Sequence, residues 1–421
     1  MAHFSRRTVS TFLPALVLAG PRLAYGSPAS AGHDLYADVV RYAAYGPKRT
    51  GSTADHAISD WLAEEASRVG AEVHIQRIPL RRFEVEAARL AIGSDQLDCF
   101  PLWFPKSSSG RLRLPLAALD TAPGGSLAYK SLSDGLVGLR EIPAAVRLAA
   151  ERQCAGLVLV TKTPSGMAFA HGLGAQTPMP TLLVGGKHQE RLGRVLESRE
   201  PVEFELSGQT VDGEARNVIA SFGNLEQPII GVSTPTSAWL TAGGERGSGV
   251  ALWLALLRRA AATRRGPYLF SAVSGHELDA LGGRHFAASD LAPLPSQVRS
   301  WCHLGASIAT RSIAPANAAE DDAQERFSPE TRIVCSSERL ERDVGRFMGN
   351  VPYRVLSSRD APVRGELKLY LDKGYETFGF EGAGPLFHTS IDDHKATSPM
   401  LLGRVYEGLA ELMGHFEERS Q

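Results

Sequence analysis

From His33 onward the apolar positions follow two periods in turn. "HDLYADVVRYAAYG" reads as a helix, and "GPKRTGS" after it as a loop. In "ADHAISDWLAEEASRVG" the apolar residues Ile58, Leu62 and Ala66 recur at helical spacing. Ser52 or Thr53 can cap this second helix, and Gly70 ends it. "AEVHIQRIPL" then alternates like a half-buried strand.

The texture changes near Cys99. "FPLWFPKSSSGRLRLPLAALDTAPGG" is rich in proline, glycine and serine. "EIPAAVRLAAERQCAGLVLVTKT" reads as a helix followed by a buried strand, "TPMPTLLVGGKHQERLGRVLES" as a strand and a helix, and "VEFELSGQTV" as another strand. Helix and strand periods then alternate again through "ARNVIASFG", "QPIIGVST", "GSGVALWLALLRRAAATRR", "PYLFSAVSG", "GGRHFAASD" and "WCHLGAS". This order predicts an α/β fold with a doubly wound, mostly parallel sheet. Fully apolar runs such as "YLFSAV" suit strands covered on both faces. The expected organisation is a main domain in two parts, 32–99 and 213–421, with a smaller α/β domain inserted at 100–212. In such sheets ligands bind beyond the C-terminal strand ends. "GVSTP", "SGHEL" and "HLGAS" should therefore meet in one crevice, joined by "PLFHTSIDDHK".

Composition narrows the function classes. The chain has 421 residues, 43% hydrophobic and 22% charged, with a net charge of −1. Nothing in that balance favours nucleic acid or a membrane surface. Residues 1–31 read as an export signal of twin-arginine type. Arg6-Arg7 follows Ser5, a short apolar stretch runs from Phe12 to Gly20, and Ala29-Ser30-Ala31 offers a cleavage site. The expected location is periplasmic or secreted, with no membrane span after signal removal. Cys99, Cys154, Cys302 and Cys335 form no CxxC pair, and Cys154 and Cys302 read as small core residues.

The stretch with most chemistry is "SGHELDALGG", where His276 and Glu277 stand together at the end of a buried strand. Around it, the order of segments over about 33–421 resembles the secreted zinc-dependent exopeptidases of the co-catalytic aminopeptidase family. That family includes leucyl aminopeptidases, glutamate carboxypeptidases, glutaminyl cyclases and the transferrin receptor ectodomain. "AAERQCAGLVLVTKT" with "TPMPTLLVGG" looks like its inserted protease-associated domain. The family holds two zinc ions with a His-x-Asp, a bridging Asp before "SG", a Glu-Glu pair, a further strand-end Asp and a late His. One Glu of the pair ligates, and the other takes the proton of the attacking water.

Carried over by position, the resemblance leaves much of that set vacant. The His-x-Asp place reads Ser233-Thr234-Pro235, the bridging Asp falls on Gly244, and the strand-end Asp falls on Gly305. His276 stands where the general base was, and Glu277 and His388 survive as ligands. Glu245, beside the lost Asp, is a further candidate. The resemblance therefore implies an exported aminopeptidase-like protein with a degenerate two-metal site, lacking standard aminopeptidase activity and serving as a binding or scaffold protein. Its expected partner is a peptide or amino-acid-like ligand, or another protein.

Two enzymatic alternatives stand beside this. In the first, Glu277, His388 and Glu245 hold one zinc ion, with His276 as base, for hydrolysis or glutaminyl-cyclase-like acyl transfer. In the second, Ser233, His276 and Glu277 act as a metal-independent nucleophile, base and orienter. His303 shares the strand face of Gly305 and reads as a structural histidine, with ligation as its second role. His285 reads as packing or surface. Asp392, Asp393 and His394 read as solvated loop charges, or as the family's ligand-orienting Asp. Trp239 either lines the crevice or fills the core beneath it.

Overall fold

The computed structural model describes residues 28–311, 332–349, 351 and 353–419. The twin-arginine motif and the apolar stretch after it lie outside the described residues. Helices α1 (Pro28–Ala44) and α2 (Thr53–Arg68) precede the long strand β1 (Glu72–Ile92). The middle of the chain holds β2 (Asp95–Gln96), β3 (Cys99–Pro101), β4 (Leu112–Ala118), β5 (Leu127–Asp134), α3 (Gly135–Leu139), α4 (Ile142–Glu151), β6 (Gly156–Lys162), β7 (Thr181–Gly185) and α5 (Gln189–Ser198). After β8 (Pro201–Phe222) come β9 (Ile229–Pro235), α6 (Ser248–Thr263), β10 (Tyr268–Val273), α7 (Leu281–Ala288) and β11 (Val298–His303). The chain ends with β12 (Arg332–Ser336), α8 (Glu341–Met348), β13 (Arg354–Ser357), α9 (Leu367–Asp372), β14 (Thr377–Gly382) and α10 (Pro399–Glu418).

The strands form one connected sheet in the order β13-β12-β14-β11-β9-β10-β8-β4-β5-β6-β7-β3, with β1 laid against β8. Pairing is parallel through β14-β11-β9-β10 and through β4-β5-β6-β7. The α/β, mostly parallel architecture read from the sequence is what the structure shows.

Strand β8 joins the two halves of the sheet. Its first residues pair with β4 and its last with β10, while β1 runs antiparallel along nearly all of it, from Glu72 opposite Ser221 to Ala91 opposite Glu203. The sequence pattern ends the first strand at Leu80 and splits the second into "VEFELSGQTV" and "ARNVIASFG". The structure corrects both. Each strand of this ribbon satisfies the other's backbone groups, so neither needs to stop at a domain edge. The one register shift lies between Val85 and Ala87. Beside it, a Cβ on Gly208 would meet the Glu84 carbonyl oxygen at 2.1 Å, so glycine is the residue that fits.

Side chains alternate between cores on the two sheet faces, as the pleat requires. Tyr268, Phe270 and Ala272 of β10 pack with Trp61, Trp253 and Leu409 beneath α1, α2, α6 and α10. Leu269 and Val273 pack on the other face with Phe286, Trp301 and Tyr370. The same alternation splits β6, where Val158 and Val160 join Val184 and Phe204. Leu157 and Leu159 instead join Ile142 and Val146. All four cysteines are unpaired. Among the described residues no helix is long and apolar enough to cross a membrane.

Candidate active-site cleft

The loops after β9, β10, β11 and β14 come together at one end of the sheet. The loop after β10 is set by left-handed Gly275 (φ 100°), a conformation that excludes most side chains. The backbone N–H of Ser274 at its start donates to the Asn217 side-chain oxygen at 3.1 Å.

Glu277 faces the N-terminal loop. One carboxylate oxygen accepts from the Thr50 backbone N–H at 2.7 Å, and the other accepts from the Ser237 hydroxyl at 2.6 Å. Ser237 Oγ in turn accepts from the Gly275 N–H at 2.8 Å. Glu277 thus fastens three loops together. Beside it, Trp239 stacks on Trp103 with ring centroids 5.4 Å apart, and the Arg49 guanidinium lies 4.3 Å over the Trp103 ring.

Glu245 and His388 meet in a different place. Glu245 lies in a short turn, Gly243–Gly247, entered through left-handed Ala242 (φ 50°) and leading directly into α6. His388 Nε2 stands 3.3 Å from Glu245 Oε1, and Arg246 Nη2 stands 2.9 Å from the same oxygen. His388 Nδ1 lies 3.0 Å from the Ala170 carbonyl oxygen, which only accepts, so that nitrogen carries a proton. The region of residues 100–212 therefore reaches the centre through Ala170 and through Phe169, whose ring lies 4.9 Å from that of His388. Burial pushes the Glu245 carboxyl up, but the charges of His388 and Arg246 outweigh it and hold it at about 2.

Asp392 is buried, not a solvated loop charge. Its two carboxylate oxygens accept from the Gly244 and Glu245 N–H groups at 2.9 and 3.0 Å, which fixes the turn that carries Glu245. Burial and the nearby Glu245 charge raise its carboxyl to about 7. His285 is exposed on α7.

The remaining candidates also pair apart. His276 Nδ1 stands 3.1 Å from Glu366 Oε1, at the start of α9. Ser233 Oγ lies 2.9 Å from His303 Nδ1 and accepts from Trp301 Nε1 at 2.9 Å. Both Ser233 and His303 are buried, and burial pushes the His303 imidazole down to about 4. The side chains of Ser233, His276 and Glu277 thus hydrogen-bond to three separate sets of partners. His276 and His303 line a cleft of about 390 Å³ together with Arg246, Arg364, Glu366 and Glu381.

These residues do not fit a zinc ion as they stand. Glu277 is bound to Thr50 and Ser237, and the Glu245 oxygen nearest His388 already carries a guanidinium. Among the described residues no group of three or more His, Cys, Asp or Glu side chains is placed to hold a metal.

Four residues escaped the sequence reading. Arg246 stands next to a weighed candidate, but its residue type is not a ligand. Glu366 lies in "RGELKLYLDKG", which carries no motif. Lys48 is buried over the Tyr42 ring at 4.3 Å and donates to the Thr241 carbonyl. Its burial holds the ammonium down at about 7. Asp55 is fully buried and accepts from the Gly51 N–H at 2.9 Å and the Ser274 hydroxyl at 2.7 Å, tying α2 to the loop of His276.

Burial raises the Asp55 carboxyl from 3.8 to about 7. Below about pH 4 both the folded and unfolded chains hold this proton, so it contributes nothing. Between about pH 4 and 7 the unfolded chain releases the proton while the folded chain keeps it, so stability falls as pH rises. Asp55→Asn mimics the protonated acid. Its thermal midpoint relative to wild type is therefore expected to improve from pH 5 to pH 8. A difference that stays flat across that range would show that Asp55 ionises normally in the fold.

No protein-family model matches the chain, and no curated protein matches it in sequence. Solved structures do match. A zinc aminopeptidase from Bacillus subtilis superposes with a TM-score of 0.69 at 15% identity, covering 91% of this chain and 94% of that one. A peptidase precursor from Shewanella amazonensis gives 0.71 at 16% identity, over 92% and 93%. An aminopeptidase from Aneurinibacillus sp. gives 0.59 at 15% identity, over 91% and 93%. Over nine-tenths of its length, the chain has the aminopeptidase fold of the zinc-dependent exopeptidases.

Proposed function

We propose that this protein is an exported, aminopeptidase-fold binding protein whose two-metal centre has been replaced by buried ion pairs. The observation that carries this reading is the Arg246 guanidinium 2.9 Å from Glu245 Oε1, in a pair only 1% and 3% exposed. A fixed side-chain cation occupies the surroundings of the one carboxylate that also faces His388. A dication added there would meet that charge at short range, in a medium that screens it poorly. The twin-arginine signal, the inserted domain at 100–212 and a peptide or amino-acid-like ligand belong to the same proposal.

The test is metal analysis of the purified mature protein together with assays on aminoacyl chromogenic substrates, with and without added zinc. The expected result is less than one tightly held zinc per chain and no hydrolysis above background. The rival reading is a single-zinc enzyme, favoured by the 3.3 Å approach of His388 Nε2 to Glu245 Oε1. One tightly held zinc per chain, lost in His388→Ala, would establish that reading instead. For export, a protein with Arg6 and Arg7 both changed to lysine should remain in the cytoplasm, and its recovery from the periplasm would overturn the twin-arginine assignment.

A further inference from the structure

Two buried charged groups in the cleft are short of partners. Arg246 is 1% exposed; neither its Nε nor its Nη2 atom makes a hydrogen bond among the described residues, although Nη2 stands 2.9 Å from Glu245 Oε1 as an ion pair. Glu366 has a side chain 1% exposed; Oε1 faces His276, but Oε2 has no donor among the described residues. Leaving such atoms unpaired in a buried place is costly, and more so when they are charged. They line the same cleft of about 390 Å³. Leaving the two histidines aside, its charged lining comprises Arg246 and Arg364 against Glu366 and Glu381, which balance. A balanced lining with two unfilled donor atoms on Arg246 and one unfilled acceptor on Glu366 suits a ligand that carries both signs of charge.

A second cavity adjoins this cleft. It measures about 430 Å³ and is lined by Leu132, Leu136, Leu139, Phe169, Pro385 and Phe387 among others. Leu136, Ala383 and Phe387 line both spaces, so the polar cleft borders an apolar one. Small-molecule sites combine these features, with an apolar lining and a few polar groups that fix orientation.

We infer that the cleft binds a free α-amino acid with a large apolar side chain. Its carboxylate meets Arg246, its ammonium meets Glu366, and its side chain enters the cavity of Leu132, Leu139 and Phe169. Arg246 is suited to the carboxylate because guanidinium and carboxylate pair through directed, charge-assisted hydrogen bonds. Glu366 is suited to the ammonium because its second oxygen lacks a donor. A peptide N-terminus would offer the ammonium without the carboxylate, and it would leave Arg246 unfilled.

This assignment rests on the reading of the centre as a metal-free binding site. The test is calorimetric titration of the full mature protein with L-phenylalanine, L-phenylalaninamide and 3-phenylpropionate, repeated with Glu366→Gln. The amino acid should bind, and the amide should bind about 10- to 100-fold more weakly for want of the charged contact. Glu366→Gln keeps an acceptor for His276. It should weaken the amino acid by about the same factor while leaving 3-phenylpropionate, which has no ammonium, nearly unchanged. Equal affinity for the amide, or equal losses for both ligands in Glu366→Gln, overturns the assignment. A metal-free protein that binds none of the three overturns it while leaving the proposed function standing. Binding that appears only with zinc overturns both.

Discussion

Gly305→Asp is expected to destabilise the protein severely and not to supply a metal ligand. Gly305 is where the resemblance places the strand-end Asp of the two-metal centre. In the structure, a Cβ at this position would lie 2.1 Å from the Phe380 carbonyl oxygen, which is backbone of β14 and cannot swing away. Any side chain therefore forces β11 and β14 apart just beyond the point where they pair at Trp301–Thr377 to His303–Gly379. Overpacking of this kind costs about 1–3 kcal/mol for an added methyl group, and a carboxylate forced into the same space costs more. Gly244 has closed in a similar way, with a Cβ falling 2.6 Å from Asp392 Oδ1 and 2.7 Å from the Ala396 Cβ. At both positions the space a larger side chain would need is taken, by backbone at Gly305 and by an engaged carboxylate at Gly244. Thermal unfolding of Gly305→Ala and Gly305→Asp, with and without zinc, checks this. Wild-type midpoints in both, with zinc raising that of Gly305→Asp, would mean that the centre is merely empty and open to repair.

The same crowding explains what the sequence made legible and what it did not. Buried strands such as "YLFSAV" and the helical spacing of Ile58, Leu62 and Ala66 reflect local burial periods, so the α/β order could be read from the chain alone. The ribbon of β1 and β8 could not. Its continuity depends on two strands more than a hundred residues apart in the chain satisfying each other, and neither carries that information. The site divides in the same way. Glu245, His276, Glu277, His303 and His388 stood out by residue type, and the fold does bring their loops to one end of the sheet. Their pairing was hidden, because it depends on residues that either carry no motif, as Glu366, or are of types that suggest no metal chemistry, as Thr50, Ser237 and Arg246. Thr50 and Ser237 claim Glu277, Glu366 claims His276, and Arg246 joins His388 on Glu245. Asp392 shows the point most directly. Its setting, "SIDDHK", looks like a solvated loop, and only the tertiary fold buries it against the Gly244 and Glu245 N–H groups.

Arg246→Met should be the most damaging single change in the centre that adds no bulk. It keeps the volume of the side-chain stem and deletes the guanidinium 2.9 Å from Glu245 Oε1. Glu245 is then left buried with His388 as its remaining cationic partner. Removing one member of a buried ion pair costs about 3–5 kcal/mol when the other charge is left with no partner, which sets the upper bound here because His388 stays 3.3 Å from Glu245. Pairing this change with Glu245→Gln removes the stranded charge as well, so the double variant should recover most of the loss. The pH profile separates this electrostatic account from simple loss of packing. In wild type the Glu245 carboxyl is held at about 2, so its contribution to stability is present above about pH 4.5 and is lost as pH falls towards 2. Without the guanidinium the carboxyl rises towards its ordinary value, and that acid-sensitive contribution shrinks. Arg246→Met should therefore lose most stability against wild type near neutral pH and least near pH 3. A deficit equal at both pH values, with no recovery in the double variant, would show that Arg246 serves only as filler and that no fixed cation has taken over the metal centre.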